Sequence, residues 1–246
     1  MTKPLVAGNW KMHGNTEQAS SLACQLAANW NDLQAVEMVV FPPFVHLSTV
    51  KEALANSAVA LGAQNISQHE GGAYTGEISG AMLVEQGCQY VLVGHSERRE
   101  LFGESNVTVA EKFKAAQKVG LVPILCVGES LQERRQGQTL AVVSSQISAV
   151  IDCVGLRNVS RAVIAYEPVW AIGTGEVASP QQAQQVHSAI RTQLGNIGAD
   201  TRLLYGGSVK SSSAVELFAQ PDINGGLVGG ASLEAHEFLN IVKLAE

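Results

Sequence analysis

Short apolar runs alternate with amphipathic stretches along nearly the whole chain, and this alternation predicts its architecture. Within each run the apolar residues are continuous, which is typical of strands buried on both faces of a parallel sheet. The predicted strands cover residues 5–10, 38–41, 59–63, 90–94, 123–128, 162–166, 202–205 and 226–229.

Amphipathic helices are predicted between these runs, each with a residue suited to begin a helix. A strand–helix pair repeated about eight times in 246 residues predicts an α/β fold, a (β/α)8 barrel that forms a single domain over residues 1–246. An open, doubly wound sheet is the alternative architecture. The predicted helices cover 16–30, 106–119, 131–154, 180–194 and 233–244, with Thr16, Ser105, Ser130, Ser179 and Ser232 as the predicted caps.

Chemically usable residues follow nearly every predicted strand. Asn9 and Lys11 follow the first strand, His95 and Glu97 the fourth, and Glu167 the sixth. Because the C-terminal ends of barrel strands converge on one face, we expect these side chains to meet in one site. Other strands end in Gln64, Asn65 and Glu129, or in the glycine pairs 206–207 and 229–230.

Glu167 stands at the end of a buried strand, before a loop of about ten residues that reaches the helix start at Ser179 and Pro180. Strand-to-helix loops usually have roughly 2–6 residues, so the longer segment 168–178 is predicted to be a lid. A carboxylate under a lid is a candidate general base, although it could equally be a salt-bridge partner. Residues 173–178 fit a relaxed dinucleotide pattern, but they do not join a strand directly to a helix.

Three further features suggest how a charged substrate would be held. The glycines at 206–207 and 229–230 follow the last two strands, where barrels of this kind bind phosphate, although they could simply permit tight turns. Ser96 is a predicted helix cap, which would place His95 at a helix N-terminus and favour a neutral imidazole, although a lone histidine at a strand end is more often structural. Lys11 would supply a fixed positive charge inside the mouth of the barrel, although a lysine at a strand end, taken alone, is more often a solvated charge.

Composition and charge exclude several other functions. The net charge is −6 and the sequence pI is about 5.5, which argues against nucleic acid or an anionic membrane as a partner. The four cysteines are scattered and no secretory signal is recognisable, which predicts a cytoplasmic protein. Motifs for metals, nucleotides and nucleophilic serines are absent, so neither a metal nor a cofactor is expected. The residue set suits proton abstraction beside a carbonyl in a small phosphorylated substrate.

Six segments resemble the triosephosphate isomerase family, in the same order and over essentially the full chain. They are AGNWKM at 7–12, LGAQN at 61–65, VGHSERR at 93–99, AYEPVWAIGTG at 165–175, YGGSV at 205–209 and LVGGAS at 227–232. The resemblance implies an isomerase that interconverts dihydroxyacetone phosphate and D-glyceraldehyde 3-phosphate through an enediolate, in glycolysis and gluconeogenesis.

The same resemblance assigns roles to individual residues. Glu167 would move the proton, and a neutral His95 would polarise the carbonyl oxygen. Lys11 would balance charge, Asn9 would help to hold the oxygens, and Glu97 would organise the site. The phosphate would be bound by the backbone N–H groups of Gly173, Ser208, Gly229 and Gly230.

The resemblance also implies a homodimer in which the loop 65–77 carries Thr75 to the active site of the neighbouring subunit. Two positions depart from many relatives, Glu176 in the lid and His13 beside Lys11. Two alternatives remain open, a barrel enzyme for another sugar phosphate and a catalytically silent barrel that binds a phosphometabolite or a protein. A silent relative would be expected to have lost Glu167 or His95, and both are present.

Overall fold

The computed structural model describes residues 2–30, 35–172 and 178–246, and its centre is a closed barrel of eight parallel strands in chain order. Closure is made by β1 and β8, where Leu5 pairs with Gly225. The predicted (β/α)8 barrel is therefore confirmed, and the open sheet is excluded. The strands are β1 Leu5–Asn9, β2 Glu37–Phe41, β3 Ala60–Ala63, β4 Tyr90–Val93, β5 Val122–Val127, β6 Val163–Tyr166, β7 Arg202–Tyr205 and β8 Gly225–Val228.

Helices surround the barrel, and the apolar residues form two packed layers. Phe41, Leu92 and Ile124 pack inside the barrel, whereas Phe113 and Phe238 pack between the barrel and the helices. In the described part of the chain, no helix combines the length and apolarity needed to span a bilayer. The helices are α1 Thr16–Asn29, α2 Leu47–Ala53, α3 Gly80–Glu85, α4 Ser96–Phe102, α5 Asn106–Lys118, α6 Leu131–Arg135, α7 Thr139–Val154, α8 Leu156–Val159, α9 Pro180–Leu194, α10 Ser211–Phe218 and α11 Ala235–Lys243.

Of the caps predicted at Thr16, Ser105, Ser130, Ser179 and Ser232, three are confirmed and two are wrong. Ser105, Ser130 and Ser179 accept hydrogen bonds from the first turns of α5, α6 and α9. Helix α1 is capped by Asn15, whose side chain accepts the Gln18 N–H at 2.9 Å, so Thr16 is already helical. Residues 230–233 form a 3₁₀ turn that contains Ser232, and α11 begins only after Glu234.

The predicted helix 131–154 is interrupted once. Gly137 has a φ of +69°, in the left-handed region where a glycine ends a helix without steric cost. The chain therefore forms the short α6, a turn, and then the longer α7. Residues 132–139 are all polar or glycine, so no apolar periodicity runs across this break, and the prediction passed over Gly137.

A polar cluster closes the barrel at the end opposite to the predicted site. Glu37, Tyr90 and Arg202 are the first residues of β2, β4 and β7, so they meet at the N-terminal end. The Arg202 guanidinium donates to the Glu37 carboxylate at 2.6 Å and to the Tyr90 hydroxyl at 2.9 Å. Burial, with the Glu37 carboxylate among its neighbours, raises the pKa of Tyr90 to about 12.

We expect Arg202→Met to lower the free energy of unfolding by about 2–3 kcal/mol, because it leaves the Glu37 carboxylate partly buried without its cation. The turnover number should stay the same, since the cluster lies at the other end of the barrel. Urea unfolding of the wild type, Arg202→Met and the exposed Arg157→Met measures the difference. A loss in Arg202→Met no larger than in Arg157→Met would contradict this role.

Candidate active site

A cavity of about 360 Å³ opens at the C-terminal ends of the strands. It brings together seven of the predicted site residues, which come from both halves of the chain. Glu97 and Thr75 do not line it, and Gly173 lies outside the described residues. Its lining includes Asn9, Lys11, His13, His95, Glu167, Ile172, Gly206, Gly207, Ser208, Lys210, Leu227, Gly229 and Gly230.

Glu167 is a buried carboxylate with two specific hydrogen-bond donors. Its side chain is only 2% exposed. One oxygen, Oε1, lies 3.0 Å from His95 Nε2, and the other accepts the backbone N–H of Ser96 at 2.9 Å. The adjacent strand comes close enough that a Cβ on Gly128 would lie 1.7 Å from the Glu167 carbonyl oxygen. These contacts hold the Glu167 carboxylate against the Nε2 atom of His95.

His95, rather than Ser96, is the residue that caps α4. Its Nδ1 accepts the backbone N–H of Glu97 at 3.3 Å, and Ser96 is already the first helical residue. An Nδ1 atom that accepts a hydrogen bond leaves the proton on Nε2, the nitrogen that faces the cavity and Glu167. The predicted position of the ring at a helix N-terminus is thus observed, although the cap itself was misassigned.

The charges of this pair depend on each other. Burial raises the pKa of the Glu167 carboxyl. The opposing effect of His95, the Ser96 N–H and Lys11 is larger, so the pKa lies below its usual value. Burial lowers the pKa of His95, whereas the adjacent Glu167 carboxylate raises it to a net value above the usual one. When the carboxylate turns to another partner, the pKa of His95 must fall, which favours the neutral ring.

Lys11 is held in an unusual backbone conformation at the edge of the cavity. Its φ is +51°, in the left-handed region that non-glycine residues rarely adopt. The Asn9 side chain accepts the Lys11 N–H at 3.0 Å, and the Gln64 amide donates to the Lys11 carbonyl at 2.6 Å. The Lys11 ammonium pairs with Glu97, whose other oxygen lies 3.7 Å from His95 Nδ1.

The glycines after β7 and β8 border the cavity closely enough that side chains would fill it. A Cβ on Gly206 would lie 2.8 Å from Glu167 Cγ, and one on Gly229 would lie 3.4 Å from Lys11 Cε. The 3₁₀ turn Gly230–Leu233 begins at this edge. Backbone N–H groups at such a turn, beside a lysine, suit an anion the size of phosphate.

Glu129, which follows β5, lies outside the cavity. It is fully buried, and its Oε1 accepts bonds from the Tyr166 hydroxyl at 3.2 Å, Trp170 Nε1 at 3.0 Å and Arg134 at 3.2 Å. These contacts anchor the chain directly after Glu167. Residues 173–177 of the predicted lid, including Glu176, lie outside the described residues.

The described residues contain no group of three or more His, Cys, Asp or Glu side chains that could hold a metal ion. The polar groups that line the cavity instead include a carboxylate, an imidazole with its proton on the near nitrogen, lysine side chains and glycine-rich backbone. This set can move a proton next to a carbonyl, and it can hold an anionic group a few ångströms away.

A parallel barrel with this mouth is typical of enzymes that act on small phosphorylated substrates. The family model for triosephosphate isomerase matches residues 4–245. The chain is 55% identical to the triosephosphate isomerase of Thiobacillus denitrificans, over 100% of this chain and 99% of that protein. It is 53% identical to that of Dechloromonas aromatica over 100% of both chains, and 54% identical to that of Pseudomonas entomophila. The chain belongs to the triosephosphate isomerase family.

The backbone N–H of Ser96 was not among the predicted partners of the base. A backbone N–H leaves no residue-specific trace in a sequence, and only its place in the first turn of a helix could have suggested it. The anchoring contacts of Glu129 were equally hidden, because Tyr166 and Trp170 approach it only in the folded barrel.

We expect Ser96→Pro to raise the pKa of Glu167, because proline removes the N–H that stabilises the carboxylate. Proline is tolerated at the first position of a helix, so α4 should remain intact. Carboxyl-carbon NMR titration, assigned with Glu167→Gln, measures the pKa. Ser96→Ala keeps the N–H and is the matched control. An equal titration midpoint in the two variants would contradict the assignment.

Proposed function

We propose that the residues of this cavity interconvert dihydroxyacetone phosphate and D-glyceraldehyde 3-phosphate, an intramolecular aldose–ketose isomerisation that serves glycolysis and gluconeogenesis. The observation that carries the proposal is the contact between Glu167 and the Nε2 side of His95. A base and a hydrogen-bond donor on adjacent faces of one cavity are what a proton transfer beside a carbonyl requires.

In the forward direction the Glu167 carboxylate removes a proton from C1 of dihydroxyacetone phosphate. The electrons of that C–H bond form the carbon–carbon double bond, and the carbonyl π electrons move to the C2 oxygen, giving an enediolate. His95 donates its Nε2–H to the oxygens, in place of the bond that it now makes to Glu167. A proton moves from O1 to O2 and the carboxylic acid returns its proton to C2, which yields the aldehyde.

The remaining groups bind and orient the substrate. Lys11 offsets the negative charge of the phosphate and the developing enediolate, and Asn9 helps to hold the oxygens. The phosphate is bound by backbone N–H groups of Ser208, Gly229 and Gly230, with Gly173 added from the lid. Closure of residues 168–178 over the cavity would keep water out and hinder the loss of phosphate from the enediolate.

We propose that the enzyme acts as a homodimer. Large apolar side chains are exposed in the segments that follow four consecutive strands, β1 to β4, on the rim of the barrel. These are Met12 at 93%, Val45 at 82%, Tyr74 at 44% and Phe102 at 68% exposure. Exposed apolar side chains on four neighbouring segments of the rim suit burial against a second copy. The exposed Thr75 would then approach Lys11 of that copy.

A cytoplasmic location fits the chemistry of the chain. All four cysteines are free thiols, and burial raises the pKa of Cys88 to about 12. Unpaired thiols of this kind are usual where the surroundings are reducing. The net charge of −6 leaves the substrate anion to be attracted by local groups, and it disfavours nucleic acid as a partner. Neither a cofactor nor a metal has a step in the proposed reaction.

We expect Glu167→Asp to lower kcat about 100-fold or more while KM changes by less than about 5-fold. The substitution withdraws the base by roughly one methylene and leaves the phosphate contacts in place. A coupled assay with D-glyceraldehyde 3-phosphate measures both constants, and Glu167→Gln removes the base altogether. Equal losses in binding and turnover would argue against a positioned base.

The same assay separates the alternatives. No turnover by folded wild-type protein that still binds 2-phosphoglycolate would indicate a silent binding barrel. Turnover of another sugar phosphate in preference to D-glyceraldehyde 3-phosphate would indicate a different barrel enzyme.

We expect Thr75→Arg to give a monomer with a much lower kcat, because a charge would be buried against the partner's site. Sedimentation velocity and the coupled assay measure the two effects. Ile197→Arg, on an exposed apolar residue before β7, is the matched control and should remain dimeric. A monomeric wild type with full activity would contradict the dimer.

A further inference from the structure

Arg99 of α4 is a charged residue that the proposed reaction does not use, and its guanidinium binds the framework behind the catalytic pair. Its Nε donates to the Gly94 carbonyl at 2.8 Å and its Nη2 to the Cys126 carbonyl at 3.2 Å. Its Nη1 donates to the Asn106 side chain at 2.8 Å. One planar head group thus joins the end of β4, the strand β5 and the first turn of α5.

The first acceptor belongs to the residue directly before His95. Gly94 has a φ of +70°, and a Cβ there would lie 2.9 Å from Arg99 Nη2 and 2.8 Å from Val109. The chain therefore leaves β4 through a turn that only glycine can make easily, with the guanidinium packed against it. The orientation of the Gly94 peptide fixes where His95 begins α4, and hence where its Nε2 points.

The second acceptor lies on the strand next to Glu167. Cys126 of β5 pairs with Ala165 of β6, two residues before the base. A bond to the Cys126 carbonyl fixes the position of β5 relative to the turn at Gly94. Arg99 therefore links the turn before His95 to β5, the strand that is paired with the strand of the base.

The guanidinium of Arg99 is also a largely buried positive charge. No ion pair between described residues includes it, whereas the neighbouring Arg98 pairs with Glu104 at 2.5 Å. Burial lowers the pKa of Arg99, and the acidic groups that act on it are the Cys126 thiol, Glu167 and Glu104. The guanidinium of Arg99 and the carboxylate of Glu167 therefore interact electrostatically, although no hydrogen bond joins them.

We propose that Arg99 is a positioning residue, which holds the Gly94 and Cys126 backbones so that His95 Nε2 and the Glu167 carboxylate keep their relative placement. Its cationic head group also favours the ionised form of Glu167, together with Lys11 and the Ser96 N–H. This inference rests on the proposed isomerase function.

Gln146 of α7 offers a matched control. It makes a bidentate contact with Gly128, accepting the N–H at 2.8 Å and donating to the carbonyl at 3.0 Å. It therefore also fixes the backbone at a strand end beside Glu167, but it is uncharged. Gln146→Met removes a similar number of backbone contacts and leaves the charge near the base unchanged.

The test compares the kcat, KM and pH profile of the wild type, Arg99→Lys, Arg99→Met and Gln146→Met, with D-glyceraldehyde 3-phosphate as substrate. Arg99→Lys should lower kcat about 10-fold with KM within about 3-fold, because an ammonium keeps the charge but cannot span three acceptors. Arg99→Met should lower kcat about 100-fold.

The pH profile separates positioning from general destabilisation. In Arg99→Met the acid limb of kcat/KM should move to higher pH, because loss of a positive charge raises the pKa of Glu167. Lys11, His95 and the Cys126 thiol, which also face the carboxylate, are unchanged in every variant. Arg99→Lys and Gln146→Met should keep the wild-type acid limb, while Gln146→Met lowers the melting temperature.

Wild-type kcat in Arg99→Lys would overturn the inference. If Arg99→Met does not fold, the kcat of Arg99→Lys is by itself the test. A fall in kcat no greater than that in Gln146→Met, with an unmoved acid limb in Arg99→Met, would overturn it as well. Absence of turnover in the wild type would instead overturn the proposed function, and this inference with it.

Discussion

The burial of one carboxylate is the constraint on which the site depends. An ionised carboxyl group that is 2% exposed is costly unless hydrogen bonds replace its water. For Glu167 these come from His95 Nε2 and from the Ser96 N–H, both at the start of α4. The same contacts that stabilise the buried charge also aim the imidazole at the cavity, so that stability and chemistry have a common origin here.

The barrel makes such a site possible because stability and substrate binding depend on different parts of it. The N-terminal end is closed by Glu37, Tyr90 and Arg202, and the interior is filled by apolar side chains. The C-terminal end is free to present polar groups on short segments whose bases are fixed by the strands. The left-handed Lys11 is tolerated there, because Asn9 and Gln64 bind its backbone on both sides.

Much of the fold followed from patterns that a chain displays locally. Continuous apolar runs indicated all eight strands. Each strand is buried on both faces, so its own residues are enough to predict it. The errors lie at boundaries, where a single contact decides. Asn15 rather than Thr16 caps α1, and the left-handed Gly137 separates α6 from α7.

By itself, the sequence determined the barrel and most members of its site, since Asn9, Lys11, His95, Glu167, Ser208, Gly229 and Gly230 line one cavity. Only the tertiary structure decided how they meet. It made His95 the cap of α4, gave Glu167 a backbone donor, and placed Glu129 among Tyr166, Trp170 and Arg134 instead of in the cavity. Backbone donors and contacts between distant strands depend on where the closed barrel brings the chain, and residue types alone do not encode that.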